Sequence, residues 1–139
     1  MSDDVGERAW LHEQLAQVTR YFQAAGIAPP KQLEVEFSLP PKLALWSETT
    51  PDGSRQIWVV SGDCPTDYLV FDRLLSAREA MSQFAAHWMN VSSDMKQGQQ
   101  HPTTLIGNPD DPRELEKLGT MLEIRAQLLQ SFAQRADIW

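Results

Sequence analysis

The segment that most narrows what this chain can fold into is a pair of apolar runs, Leu43 to Glu48 and Arg55 to Val60, joined by Thr50-Pro51-Asp52-Gly53. Proline presets the first turn position, and glycine takes the positive φ that follows a type I turn. A β-hairpin is the expected result. With a bulge at Gly53, Leu45 faces Val59 and Trp46 faces Trp58, so the two indoles share one face of the sheet, opposite Leu45, Ile57 and Val59. As a site, that pair is an open aromatic platform for a ligand or partner. As structure, it is a pair of large side chains that a helix covers, and burial is the favoured outcome.

The flanking segments dictate the company this hairpin keeps. Upstream, Leu33 to Leu39 alternates apolar and polar residues, the period of a strand with one wet face, and Pro40-Pro41 ends it. Downstream, Tyr68 to Phe71 reads as a further strand. Before the strands, Leu11, Leu15, Val18, Phe22 and Ala25 fall on one face of a helix from about Asp4 to Ala25, closed by Gly26 and barred from resuming by Pro29-Pro30. After them, a second helix starts at Ser76, with Glu79 completing a capping box and Gly98 ending it. Its stripe is Ala77, Met81, Phe84, Trp88, Val91 and Met95. A third starts at Asp111 with Pro112 in its first turn. Its stripe is Leu115, Leu118, Leu122, Leu129 and Phe132, widened by Met121, Ile124 and Leu128. The linker from Gly98 to Asp110 is long for a compact domain, hence either irregularly packed or mobile. With no crossover between strands, the fold class is α+β: an N-terminal helix, an antiparallel meander of three to four short strands, and two C-terminal helices, in a single domain over residues 1–139.

Composition removes several functions. The chain has 139 residues, a net charge of −7 and one cysteine, Cys64. No internal disulfide is possible, and a lone thiol fits a reducing compartment. The N-terminus lacks the basic start and apolar stretch of an export signal, and no apolar run approaches the roughly 20 residues of a membrane span. A cytoplasmic protein is expected. Its twelve Lys and Arg are scattered, which argues against nucleic acid as a partner.

Candidate chemistry concentrates in Gly62-Asp63-Cys64-Pro65-Thr66-Asp67-Tyr68. Asp63 and Asp67 are either ligands or an acid/base pair, or turn formers bonding nearby N–H groups, and the latter is favoured. Nothing near Cys64 in sequence lowers its pKa, and Asp63 opposes a thiolate. Arg125 interrupts the apolar stripe of the third helix, where a charge must pair or reach water. An Arg125–Asp67 ion pair is the expectation. His12, His87 and His101 lack the paired spacing of a zinc site. No phosphate loop, nucleophile elbow or Cys-x-x-Cys pair occurs, and no cofactor or metal is indicated. The terminal Trp139 is expected to dock on the fold.

Leu43-Ala44-Leu45-Trp46, the run Trp58 to Tyr68, Ala80 to Trp88 and the segment Leu122 to Leu129 together resemble the domain-of-unknown-function family 4826, over about Trp10 to Trp139. The resemblance implies a bacterial cytoplasmic protein and brings no activity with it. It links Asp63, Thr66, Asp67 and Arg125 as one unit. A non-catalytic protein-interaction module of adaptor, immunity or chaperone type is the favoured reading, with Trp46 and Trp58 as further contact candidates. The alternative is a small enzyme or ligand-binding domain with its site near Gly62 to Tyr68. The oligomeric state is open.

Overall fold

The hairpin forms, with a turn one residue longer than expected. The elements of the computed structural model run in the order α1 (Asp3–Ala24), β1 (Glu34–Leu39), β2 (Leu43–Thr49), β3 (Gln56–Gly62), β4 (Asp67–Phe71), α2 (Ala77–Lys96) and α3 (Pro112–Gln134), with a 3-10 turn at Ala136–Ile138. The structure describes residues 3–102, 104 and 106–139. Strand order follows the chain, β1-β2-β3-β4, with every pair antiparallel. The α+β meander stands, and among the described residues no helix is long and apolar enough to cross a membrane.

Between β2 and β3 the Thr50 N–H donates to the Arg55 carbonyl at 3.0 Å, and the Gly53 N–H to the Thr50 carbonyl at 2.9 Å. Asp52 organises the loop. One of its carboxylate oxygens accepts from the Thr50 hydroxyl at 2.7 Å, the Ser54 hydroxyl at 2.8 Å and the Ser54 N–H at 3.1 Å. These bonds, the one from Thr50 foremost, hold the Asp52 carboxyl at about 2. Ser54 is thereby drawn into the turn, and Trp46 pairs with Val59 while Ser47 pairs with Trp58. A one-residue change of register moves a side chain to the other face of its sheet. Trp46 and Trp58 therefore lie on opposite faces, and the shared-face pairing expected from the sequence is incorrect.

A bulge has a similar effect in β1. Val35 pairs with Trp46 and Phe37 with Leu45, leaving Glu36 as the extra residue. The alternating stripe is thus divided, Val35 on the Trp46 face and Phe37 on the Leu45 face. The Glu36 carboxylate accepts from the Ser47 hydroxyl at 2.8 Å.

The chain groups into two compact units, Met1–Ala77 and Arg78–Trp139. In the first, α1 covers the Trp46 face. Val18 and Phe22 pack with Ala44, Trp46 and Val59, flanked by Trp10, Leu11, Tyr21, Leu33, Ile57 and Tyr68. Two polar bonds fix the helix along the sheet: the Ser38 hydroxyl donates to Glu7 at 2.6 Å and the Gln17 amide to Thr66 Oγ1 at 3.0 Å. Leu15 and Ala25, expected in the stripe, are exposed, and Gln14 takes a buried place instead. On the opposite face Leu43, Leu45, Trp58 and Val60 are buried as well.

The second unit is an antiparallel helical hairpin. Met81, Phe84, Trp88, Val91 and Met95 of α2 are buried as the spacing predicts, together with Ala80, Ala85 and Ser92. On α3 the buried line is Leu115, Gly119, Leu122, Ala126, Leu129, Phe132 and Ala133. Small residues recur every seventh position, at 119, 126 and 133, and let the helices approach closely. A Cβ on Gly119 would stand 2.8 Å from the Met95 Cβ and 2.9 Å from the Lys96 nitrogen. At the open end Arg78 donates to the Ala133 carbonyl at 2.6 Å, and toward the linker Lys96 pairs with Glu123 at 3.0 Å. Asp111 caps α3 by accepting from the Glu114 N–H at 3.1 Å.

The described residues of the linker between these helices are tied down by hydrogen bonds. His87 Nε2 and Thr104 Oγ1 are 2.8 Å apart, the Thr104 N–H donates to His101 Nδ1 at 3.2 Å, and Gln100 donates to the Gly107 carbonyl at 3.0 Å. Trp139 docks by donating its indole N–H to the Phe132 carbonyl at 2.9 Å.

Candidate functional site

The Gly62–Tyr68 segment forms the corner where β3 turns into β4. Gly62 has a φ of 132°, and a Cβ there would stand 2.4 Å from the Lys42 carbonyl oxygen. Only glycine fits both conditions. The next N–H, of Asp63, donates to that same carbonyl at 2.8 Å, so the corner is laid against the start of β2. The Asp63 side chain is exposed, and Cys64 is half-buried.

Thr66 and Asp67 turn inward. The Thr66 hydroxyl receives the Gln17 amide, joining the corner to α1. Asp67 is buried and its carboxylate accepts the N–H of Tyr68 at 2.9 Å. The Tyr68 ring lies 5.1 Å from Phe22 and 6.4 Å from Tyr21, extending the cluster under α1. Burial pushes the Tyr21 hydroxyl up to about 12, helped by the negative charge of Asp67 and then by Tyr68.

The structure therefore brings Gly62, Thr66, Asp67 and Tyr68 together with Gln17 and Tyr21 of α1. The sequence reading named the corner but not these two helix residues. Their spacing toward the buried face of α1, beside Gln14 and Val18, was the available signal. Arg125 belongs to the second unit, half-buried on α3 between half-buried Leu118 and Leu128. Asp67, the partner expected for it, is a residue of the first unit. Trp46 and Trp58 are 4% and 1% exposed, so neither presents an open platform. Trp46 donates its indole N–H to the Ser61 hydroxyl at 3.2 Å, whereas the Trp58 N–H has no hydrogen-bond partner among the described residues. His87 and His101, unassigned by sequence, meet edge-to-face at 5.6 Å. Among the described residues no three metal-ligating side chains gather.

What sequence reasoning missed is the exposed apolar side of α3. Met121 and Ile124 were placed in the core stripe, yet they are 53% and 55% exposed. The buried line through Gly119, Ala126 and Ala133 turns them outward. Lys117 and Arg113, also exposed, stand one and two turns before Met121 on the same side.

No curated protein and no solved structure matches the chain. A family model does match, over residues 5–139, under the description domain of unknown function (DUF4826). That match takes in both units, the Gly62–Tyr68 corner and α3, and the chain belongs to the DUF4826 family.

Proposed function

We propose that the chain is a non-catalytic protein-interaction module that receives its partner on the outer side of α3. The observation that carries this reading is the pair Met121 and Ile124, two large apolar side chains more than half exposed and one turn apart on a regular helix. Exposed apolar ridges of this kind serve as contact surfaces. The net charge of −7 suggests a basic partner when taken alone. The ridge itself is flanked by Arg113 and Lys117, so a segment offering apolar side chains beside carboxylates fits it better. In this reading the Gly62–Tyr68 corner is structural. The bonds made by Asp67 and Thr66 support that view.

The test is affinity capture of the tagged chain and of its Ile124→Glu variant from native extract, with bound proteins weighed by mass spectrometry. The exposed position leaves the fold of the variant intact, which circular dichroism checks. One stoichiometric partner, present with the natural chain and absent with Ile124→Glu, is the expected result. A partner retained by the variant would remove α3 as the face, and an empty capture would remove the binder reading.

A further inference from the structure

The buried line of α3 and its outward line share one spacing. Leu115, Gly119, Leu122, Ala126, Leu129 and Ala133 recur by fours and threes, the seven-residue repeat of a helix packed lengthwise on a neighbour. Lys117, Met121, Ile124 and Leu128 repeat the same steps of four, three and four, displaced by two residues. Two residues turn a helix by about 200°, so this second line runs along the far side. Such positions ordinarily carry polar residues. Here three are large and apolar, Met121 and Ile124 more than half exposed and Leu128 half-buried. The local charge is opposite in sign to that of the chain. Lys117 lies on the line and Arg113 one turn before it, both exposed, and among the described residues neither forms an ion pair. Of the carboxylates of α3, Glu123 is bonded to Lys96, Glu116 lies more than a quarter-turn away, and Glu114 stands in the first turn. The helix therefore brings no carboxylate to the line from Lys117 onward.

We propose that the occupant of this line is an acidic amphipathic helix of a partner protein, laid lengthwise along Lys117, Met121, Ile124 and Leu128. The inference rests on the reading of α3 as the contact face and adds to it the form and charge of what is bound. Steps of four and three match the ridge of a second helix, whereas an extended segment repeats every two residues and meets such a line out of phase. The partner's carboxylates then stand over Arg113 and Lys117. A chain of net charge −7 repels acidic segments in general, so one that binds is selected by these two side chains and not by the overall field. A basic segment would be drawn to the chain everywhere, and to this line least.

Fluorescence anisotropy with two labelled synthetic peptides tests it. Both are stapled into a helix on the outer side, repeat leucine in steps of three and four, and differ only in carrying flanking glutamate or lysine. The glutamate helix is expected to bind the full chain about tenfold tighter than the lysine helix, against the net charge. Ile124→Glu abolishes that binding, and Arg113→Glu with Lys117→Glu reverses the preference, circular dichroism checking that each variant is folded. If a variant does not fold, chemical-shift changes in the natural chain on adding the glutamate helix decide the matter, and changes away from α3 overturn the proposal. A glutamate helix that does not bind also overturns it. So does equal binding of the two helices, equal binding of an unstapled, proline-interrupted glutamate peptide, or retention of the chain on phosphatidylserine vesicles without binding of the peptide. Capture from native extract separates the two failures. If Ile124→Glu still loses a partner there while the glutamate helix does not bind, only the acidic helix falls; if the capture is empty or the partner is retained, the α3 face falls with it.

Discussion

The two faces of the sheet hold one tryptophan each, equally buried and differently satisfied. On the α1 face, Trp46 packs with Val18 and Phe22 and donates to the buried hydroxyl of Ser61. On the other, Trp58 is 1% exposed and its indole N–H finds no partner among the described residues. Area alone makes the two equivalent. Their polar atoms do not, because a buried donor left without an acceptor costs about 1–3 kcal/mol, whereas a satisfied one contributes only about 1. The first face is a polar and apolar construction together, with Gln17–Thr66 and Trp46–Ser61 bonded through it. The second relies on packing at this position.

The largest effect should be the least discriminating. Trp46→Ala and Trp58→Ala each leave a cavity the size of an indole and should each cost about 3–5 kcal/mol in urea unfolding. If one costs much less than the other, the premise of equal packing fails. Replacement by phenylalanine then separates the faces. Trp46→Phe strands the Ser61 hydroxyl and should cost about 1–2 kcal/mol more than Trp58→Phe, which deletes an unpaired donor and should stay within about 1 kcal/mol of the natural chain. Adding Ser61→Ala to Trp46→Phe should recover part of that loss, and a strictly additive double-mutant cycle would sink the account.

The smallest effect is on pH. Tyr21, on the α1 face, is held at about 12 against an ordinary value near 10. Its neutral form is favoured by folding, so this contribution is complete below about pH 10 and is lost as pH rises from there through about 12. Denaturation midpoints of the natural chain should fall across that window more steeply than those of Tyr21→Phe. Parallel curves would show that the tyrosine is not the cause.

Much of this architecture is legible in the residues, for reasons that differ between helix and strand. The helical caps are local and formed as read: Asp111 bonds the N–H of Glu114, and Gly98 takes its positive φ of 77° after α2. The stripe of α2 held because helical faces are broad, so a neighbouring position still points inward. On α3 the same breadth misled. Leu115, Leu122 and Leu129 were correctly placed, but the centre of the buried face is set by Gly119, Ala126 and Ala133, small residues that a hydrophobic pattern passes over. Strands allow no such latitude. The extra residue at Ser54 separated Trp46 from Trp58, and the bulge at Glu36 separated Val35 from Phe37. At the corner, Asp67 and Thr66 were visible as unusual. Helical spacing could place Gln17 and Tyr21 near the buried face of α1, but not against this corner, because a contact such as Gln17–Thr66, spanning 49 residues, leaves no local pattern.

The close approach at Gly119 has a consequence for the recognition proposed above. With a helix backbone set against its neighbour, α3 has little room to bend or slide, and its outward ridge is fixed before any partner arrives. Association with a surface already in its bound shape avoids the ordering entropy that a flexible helix would lose. On the proposed reading, a bulkier residue at position 119, two residues before Met121 but on the other side of the helix, would be felt at the ridge as slower capture and faster release, with every contacting side chain still in place.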